Sequence, residues 1–231
     1  MPPYAFELWD VPALTIAGSE AQFPVRHIYC VGRNYAEHVK EMGGDAAKEP
    51  PCFFTKAADS VVPGGGGVRY PLGTRNLHHE IELVLAIGAE GESLSSSKAM
   101  DLVFGYAIGI DFTRRDLQNA AKEARQPWDL GKSFAQAAPI GAIHPVSAVG
   151  QVNRGGIWLE VNGQRRQDGR LEDMIWSLPE VIALLSKYYR LLPGDLIFTG
   201  TPSGVGPVVP GDRLRGGIDG LGLLEVEILP R

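Results

Sequence analysis

Apolar residues along this chain fall in short runs broken by glycine, proline and charge. The run Leu83-Val84-Leu85-Ala86-Ile87 is apolar on both parities and is closed by Gly88, the pattern of a short buried strand. Its leading edge differs. Glu80 and Glu82 stand two residues apart, so they share one face of that strand. Similar runs predict strands at residues 27–31, 52–55, 68–70, 102–111, 196–199, 212–215 and 223–228, with an N-terminal strand or arm at 14–18. Residues 157–161, Asn162-Gly163 and residues 164–166 read as strand, turn and strand.

Helical spacing is rarer. Residues 178–189 place Val181, Ile182, Leu184, Leu185 and Tyr188 on one stripe, with Pro179 in the first turn. Residues 113–123 predict a helix with Thr113 as N-cap. A short polar helix or turn is expected at 93–99. A helix of about two turns is expected from Asn34, its N-cap, with Glu37 in capping-box position and Gly43-Gly44 as the stop. A helix so short needs docking to persist, which makes it a candidate mobile or substrate-ordered segment. Residues 45–51 read as a loop, Pro63 to Gly67 as a flexible turn, and 131–134 as irregular. Strands outnumber helices, so the class is α+β, mainly β. No internal repeat and no clear domain boundary is visible.

Composition narrows the picture. The 231 residues suit one domain, or one domain with an arm, and 44% hydrophobic with 21% charged residues is ordinary for a globular protein. A formal net charge of −5 and the lack of a Lys/Arg cluster argue against a nucleic-acid partner. The first ten residues have no basic region and no apolar core, and no run approaches a membrane span. No signal peptide and no membrane partner are therefore expected. Cys30 and Cys52 sit in apolar contexts without metal-site spacing and are expected as reduced thiols in a cytoplasmic protein.

Several positions invite chemistry, each with a plainer alternative. Glu80 and Glu82 at the mouth of a buried strand repel each other; solvation, pairing with Lys or Arg, or a shared hard cation such as Mg²⁺ would relieve this. Asp111 ends another apolar strand, as a third oxygen ligand or as a partner of the following helix N-terminus. His38 and Glu41, three apart on the short helix, form either a general base with its orienting carboxylate or an exposed charged face. Lys132, between Gly131 and Ser133, would neutralise the acids or donate to an oxyanion. Arg115 and Gln118 would bind a carboxylate or carbonyl, or be solvated. Thr201, on the turn Thr199-Gly200-Thr201-Pro202, suits a small carboxylate or a structural turn. No Gly-x-Ser-x-Gly elbow and no dinucleotide glycine fingerprint is present.

These signals occur in a familiar order. The stretches Tyr29-Cys30-Val31-Gly32-Arg33-Asn34-Tyr35-Ala36-Glu37-His38, Phe53-Phe54-Thr55-Lys56, His79-Glu80-Ile81-Glu82-Leu83, Gly109-Ile110-Asp111, Gly131-Lys132-Ser133-Phe134, Val161-Asn162-Gly163 and the run from Gly194 to Gly206 together resemble the fumarylacetoacetate hydrolase superfamily. They cover most of residues 27–215. Phe23-Pro24-Val25-Arg26 and the pair His78-His79 are most similar to its acylpyruvate-cleaving branch, fumarylpyruvate above all, in the gentisate route of aromatic breakdown. One departure is Ala57, where many relatives carry proline.

The resemblance implies a mixed β-roll or β-sandwich with a few short helices and a lid helix, in a homodimer. It implies an N-terminal arm over 1–26 and a catalytic domain over 27–231. It implies Glu80, Glu82 and Asp111 as ligands of Mg²⁺ or Mn²⁺, and His38, Glu41 and Lys132 as catalytic. Arg33, Tyr35, Lys56, Arg115, Gln118 and Thr201 would contact a small 2-oxo acid substrate, with Arg33 or Lys56 at a far carboxylate. The expected reaction is hydrolysis of a C–C bond in an acylpyruvate. Oxaloacetate decarboxylation, 2-oxo-dienoate isomerisation or turnover-free binding of 2-oxo acids are the alternatives.

Overall fold

The computed structural model describes residues 3–41, 43 and 51–231. The expected stop at Gly44 and residues 45–50 of the loop expected at 45–51 lie outside them. The architecture is mainly β. A mixed sheet runs in the order Cys52–Lys56, Ile28–Gly32, Leu196–Phe198, Ile81–Ile87, Val103–Ile110, Ala138–Ile140, Val61–Pro63. A second sheet joins Gln164–Arg170, Gly156–Val161, Arg213–Ile218, Gly222–Leu229 and Gly66–Arg69. A small third sheet carries Leu77–His79 between Thr113–Arg114 and Gly206–Val208.

The strand Ile81–Ile87 is buried at every position because it has a core on each face. Ile81, Leu83, Leu85 and Ile87 enter the larger core, with Tyr106, Leu159 and Ile182. Val84 and Ala86 point the other way into a second core, with Cys30, Phe198 and Ala138. Complete burial of each such side chain contributes about 1.5–3 kcal/mol. The N-terminal hairpin Ala13–Thr15 with Gln22–Pro24 belongs to this second core through Leu14 and Phe23. Among the described residues no helix is long and apolar enough to cross a membrane.

The chain steps from the small sheet into the large one at Glu80 and steps back beyond Asp111. Ile81–Ile87 and Val103–Ile110 pair antiparallel, Ile81 opposite Ile110. Beyond that register Asp111 N–H donates to the Glu80 carbonyl at 2.8 Å. Thr113 then pairs with His78. Both acids thus sit where a paired hairpin crosses between sheets.

Several elements differ from the sequence expectation. The helix begins at Arg115, not Thr113, and spans Arg115–Glu123. Thr113 is not its cap; it is a buried strand residue whose hydroxyl donates to the Asp111 carbonyl at 3.2 Å. The helix expected to reach residue 189 is Leu178–Leu185; Tyr188 lies beyond it, 74% exposed. The glycines after Pro63 form a turn only at Gly64 and Gly65, because Gly66–Arg69 pairs in parallel with Gly222–Leu229. The stretch at 131–134 is not wholly irregular, since Asp129–Lys132 makes a helical turn. There Gly131 is required: a Cβ would come within 2.9 Å of the Gln118 backbone.

Asn34 is not the helix N-cap either. It is fully buried, and the helix it precedes is Ala36–Glu41. Its amide donates to the carbonyls of Thr199 at 2.8 Å and Trp176 at 3.0 Å, and its oxygen accepts from Trp176 N–H at 2.7 Å. These bonds tie the short helix to the loop after Leu196–Phe198, which explains how six residues hold as a helix. Asn34→Ala strands the buried Thr199 carbonyl and two part-buried backbone groups of Trp176, and should cost about 2–3 kcal/mol in urea denaturation. A loss under about 0.5 kcal/mol would refute the clamp.

Candidate active site

Glu80, Glu82 and Asp111 each offer a carboxylate oxygen, all within 4.8 Å of one another, and all three residues are buried. Chain geometry explains the cluster. Glu82 follows Glu80 on one face of the strand, and Asp111 is brought opposite by the Asp111–Glu80 backbone bond. The third wall is the loop after Leu196–Phe198. Thr199 N–H and hydroxyl both donate to the Leu83 carbonyl, and Gly200 N–H donates to Glu82 Oε2 at 2.6 Å. Gly200 has φ +99°, and a Cβ there would lie 2.7 Å from Asn34 Cβ, so only glycine brings that N–H to the acid.

Three cations are packed against the acids. Lys132 Nζ donates to Glu80 Oε2 at 2.8 Å, Asp111 Oδ2 at 2.7 Å and Thr113 Oγ1 at 2.7 Å. All three of its N–H bonds are committed, so its geometry is that of a neutralising group. Arg115 pairs with Glu80 and donates to Gln118 Oε1 at 2.5 Å. Lys56 Nζ lies 2.8 Å from Asp111 Oδ1 as an ion pair without hydrogen-bond alignment. It also donates to the carbonyls of Phe112 and Lys132.

The acids are not equivalent. Burial opposes ionisation of Glu80, but Lys132 and Arg115 hold its carboxyl well below the usual range. Among the described residues no cation sits on Glu82; burial, then the Asp111 and Glu80 charges, push its carboxyl well above that range. Lys132 is raised despite burial by Asp111 and Glu80. A hard divalent cation fits this donor set: all-oxygen, clustered, with Asp111 Oδ1 lacking a hydrogen bond and one Glu82 oxygen bonded only to Gly200.

The acids form the floor of a narrow cleft of about 140 Å³, room for a small molecule or a few waters. His38 lines it, 8% exposed. Its Nδ1 lies 3.1 Å from Glu41 Oε2, and both Glu41 oxygens accept from Gly204 N–H at 3.1 and 3.2 Å. An ionised carboxylate only accepts, so Nδ1 carries the proton and Nε2 is the basic nitrogen left for the cleft. The helix is thus hydrogen-bonded to the rest of the protein at both ends.

Of the residues expected at the substrate, Arg33, Arg115, Gln118 and Thr201 line the cleft. Lys56 does not; it lies behind the acids with no side-chain exposure, so it is unavailable to a far carboxylate. Tyr35 is also off the cleft, buried, with a phenol oxygen lacking a hydrogen-bond partner among the described residues. The Thr201 hydroxyl donates to the Ile81 carbonyl at 2.7 Å and accepts from Gln167 Nε2 at 2.7 Å, so its side chain braces the turn. Gln167 was not singled out by sequence. It is the one fully buried residue of Gln164–Arg170, and its Oε1 also meets His79 Nδ1 at 2.9 Å and Ile81 N–H at 3.1 Å. Lys122 and Trp128 also line the cleft unforeseen. For Lys122 a signal existed, since it follows Gln118 by four residues on one helix face.

A carboxylate triad under a histidine–glutamate pair, in a cleft of this size, is the site of an enzyme that acts on a small anionic molecule. The sequence profile described as fumarylacetoacetate (FAA) hydrolase C-terminal matches residues 27–229. The chain belongs to that family. Fumarylpyruvate hydrolase from a Ralstonia species is 45% identical over 80% of this chain and 96% of its own. The mitochondrial oxaloacetate tautomerase of Mus musculus is 44% identical over 85% of this chain and 88% of its own. The crystal structure of fumarylpyruvate hydrolase from Pseudomonas aeruginosa in complex with Mn²⁺ and pyruvate superposes with a TM-score of 0.97. It is 47% identical and covers 99% of this chain and 100% of that one.

Proposed function

We propose that the protein hydrolyses the C–C bond of an acylpyruvate, with fumarylpyruvate as substrate and fumarate and pyruvate as products. The carrying observation is the position of His38: its Nδ1 is fixed by Glu41, while its ring lines the cleft that the three acids floor. Passive binding of a 2-oxo acid needs no such base. The similarity to fumarylpyruvate hydrolases, one of them with Mn²⁺ and pyruvate, supports the substrate.

On this reading Glu80, Glu82 and Asp111 hold Mg²⁺ or Mn²⁺, which when bound supplies a Lewis acid for the 2-oxo acid end of the substrate. His38 Nε2 takes a proton from water, and the water oxygen attacks the distal carbonyl carbon. Gln118, whose amide N–H groups make no hydrogen bond among the described residues, is suited to stabilise the developing oxyanion. The bond between that carbon and the pyruvyl methylene breaks, its electron pair stays on the methylene carbon, and the imidazolium returns its proton there. Glu41 accepts from Nδ1 and holds the ring in one tautomer. Arg115 and Lys132 hold Glu80 in place by ion pairs, and Lys132 also holds Asp111.

A second reading, oxaloacetate tautomerisation, is supported by relatives of that name at 44% identity. It uses the same base but consumes no water. Loss of fumarylpyruvate absorbance in purified protein separates them. We expect turnover that falls at least about a hundredfold after chelation and returns with Mn²⁺ or Mg²⁺. Full activity after rigorous metal removal would sink the metal role, and enolisation of oxaloacetate without acylpyruvate cleavage would favour the second reading.

A further inference from the structure

The deep end of the cleft is balanced in charge. Three carboxylates face Lys56, Lys132 and Arg115. Lys122 stands apart from that balance. Arg115, Gln118 and Lys122 occupy positions i, i+3 and i+7 of Arg115–Glu123, one stripe that runs along the cleft wall. Arg115 touches Glu80, and the helix rises about 10 Å from there to Lys122. That span matches an extended short dicarboxylic acid whose head lies over the triad.

Lys122 Nζ lies 5.1 Å from the centroid of the Trp128 ring, and it makes no hydrogen bond or ion pair with the described residues. Arg33 lines the same cleft at the end of Ile28–Gly32, with its backbone at φ 63°, a left-handed conformation that an arginine rarely adopts. Lys122 therefore faces the cleft beyond the acid floor, and among the described residues no carboxylate lines the cleft there.

We propose that Lys122, beside Arg33 and backed by Trp128, is the subsite for a second carboxylate of the ligand, so that the enzyme selects dicarboxylic 2-oxo acids over monocarboxylic ones. The inference rests on the triad end as the seat of the 2-oxo acid head, not on C–C hydrolysis itself. Desolvation disfavours the bare ammonium. Burial first, and then the Arg115 charge, bring Lys122 down to about 8, and an anion beside it would offset both.

The test compares 2-oxoadipate with 2-oxohexanoate, which have the same chain and differ in the far carboxylate. Their affinities for the Mn²⁺-loaded protein are measured by calorimetry, in wild type and in Lys122→Met. We expect wild type to favour 2-oxoadipate by about tenfold or more, the value of a charge-assisted contact. In Lys122→Met that ratio falls toward one, and in Lys122→Arg it is kept. Equal affinities in wild type overturn the proposal without any variant. A ratio that survives in Lys122→Met, or affinities that fall together, also overturn it. If the ratio behaves as expected but fumarylpyruvate is not cleaved, the subsite stands and the hydrolytic reading fails.

Discussion

His38→Ala should lower hydrolysis of fumarylpyruvate by about 10²–10⁴-fold, the contribution of a positioned general base. The helix that carries His38 is only Ala36–Glu41, yet it should survive the change. Its anchors are elsewhere: Asn34 on Thr199 and Trp176, the Ile175 N–H on the Asn34 carbonyl, and Glu41 on Gly204. Mn²⁺ affinity should therefore stay within a few-fold, since no proposed ligand lies on that helix. Glu41→Gln should cost less than His38→Ala, because an amide oxygen still accepts from Nδ1–H while the charge that stabilises the imidazolium is gone. Steady-state turnover with Mn²⁺ titration checks both. If His38→Ala turns over normally, the dyad is not the base; if it loses Mn²⁺ as well, its effect is structural.

How far the sequence reached depended on whether a residue's partner was local. Residues 83–87 were legible as a strand because both faces of that run are apolar, and the period-two offset put Glu80 and Glu82 together. Burial bears this out at every position. The step between sheets at Glu80 and Asp111 was not legible, because it depends on the register Ile81 to Ile110, a pairing across the chain. The same reason misplaced Thr113. Thr-Arg-Arg-Asp looks like a capped helix start, but its hydroxyl serves Lys132 and the Asp111 carbonyl. Asn34 also looked like a cap and instead spans to residues more than a hundred positions away.

Cation roles were the hardest to read. Lys56 and Lys132 follow similar local signals, a lysine after an apolar or glycine-bearing run. Only the fold reveals that Lys56 approaches Asp111 from behind while Lys132 bridges two acids. Lys122 sat in a polar helix segment where a solvated side chain was the ordinary expectation. What distinguishes it is the cleft wall it lines beside Gln118, and helical spacing alone does not say which way that face points.

Asp111→Asn and Glu82→Gln should both abolish tight Mn²⁺ binding, yet should move the stability of the metal-free protein in opposite directions. Asp111 is fully buried between Lys56 and Lys132, so removing its charge leaves two ammonium groups under-compensated in the core. Breaking a buried pair in that way costs about 3–5 kcal/mol. Glu82 has no cation on it among the described residues and faces Asp111 and Glu80. Its folded carboxyl is held above the unfolded value, so at neutral pH it detracts from stability, and the penalty shrinks as pH falls toward the unfolded value. A glutamine keeps the acceptor for Gly200 N–H and removes the repulsion, so metal-free Glu82→Gln should gain at least about 1 kcal/mol at pH 7, the worth of roughly one pKa unit. That gain should vanish near pH 4. Wild type alone should then be stabilised by Mn²⁺, by about 2.7 kcal/mol at a hundred times its dissociation constant. Urea denaturation with and without Mn²⁺ at two pH values measures all of this. Equal destabilisation by both substitutions would mean that Glu82 is held by the fold as firmly as Asp111. Mn²⁺ stabilisation that persists in both would move the metal off the triad.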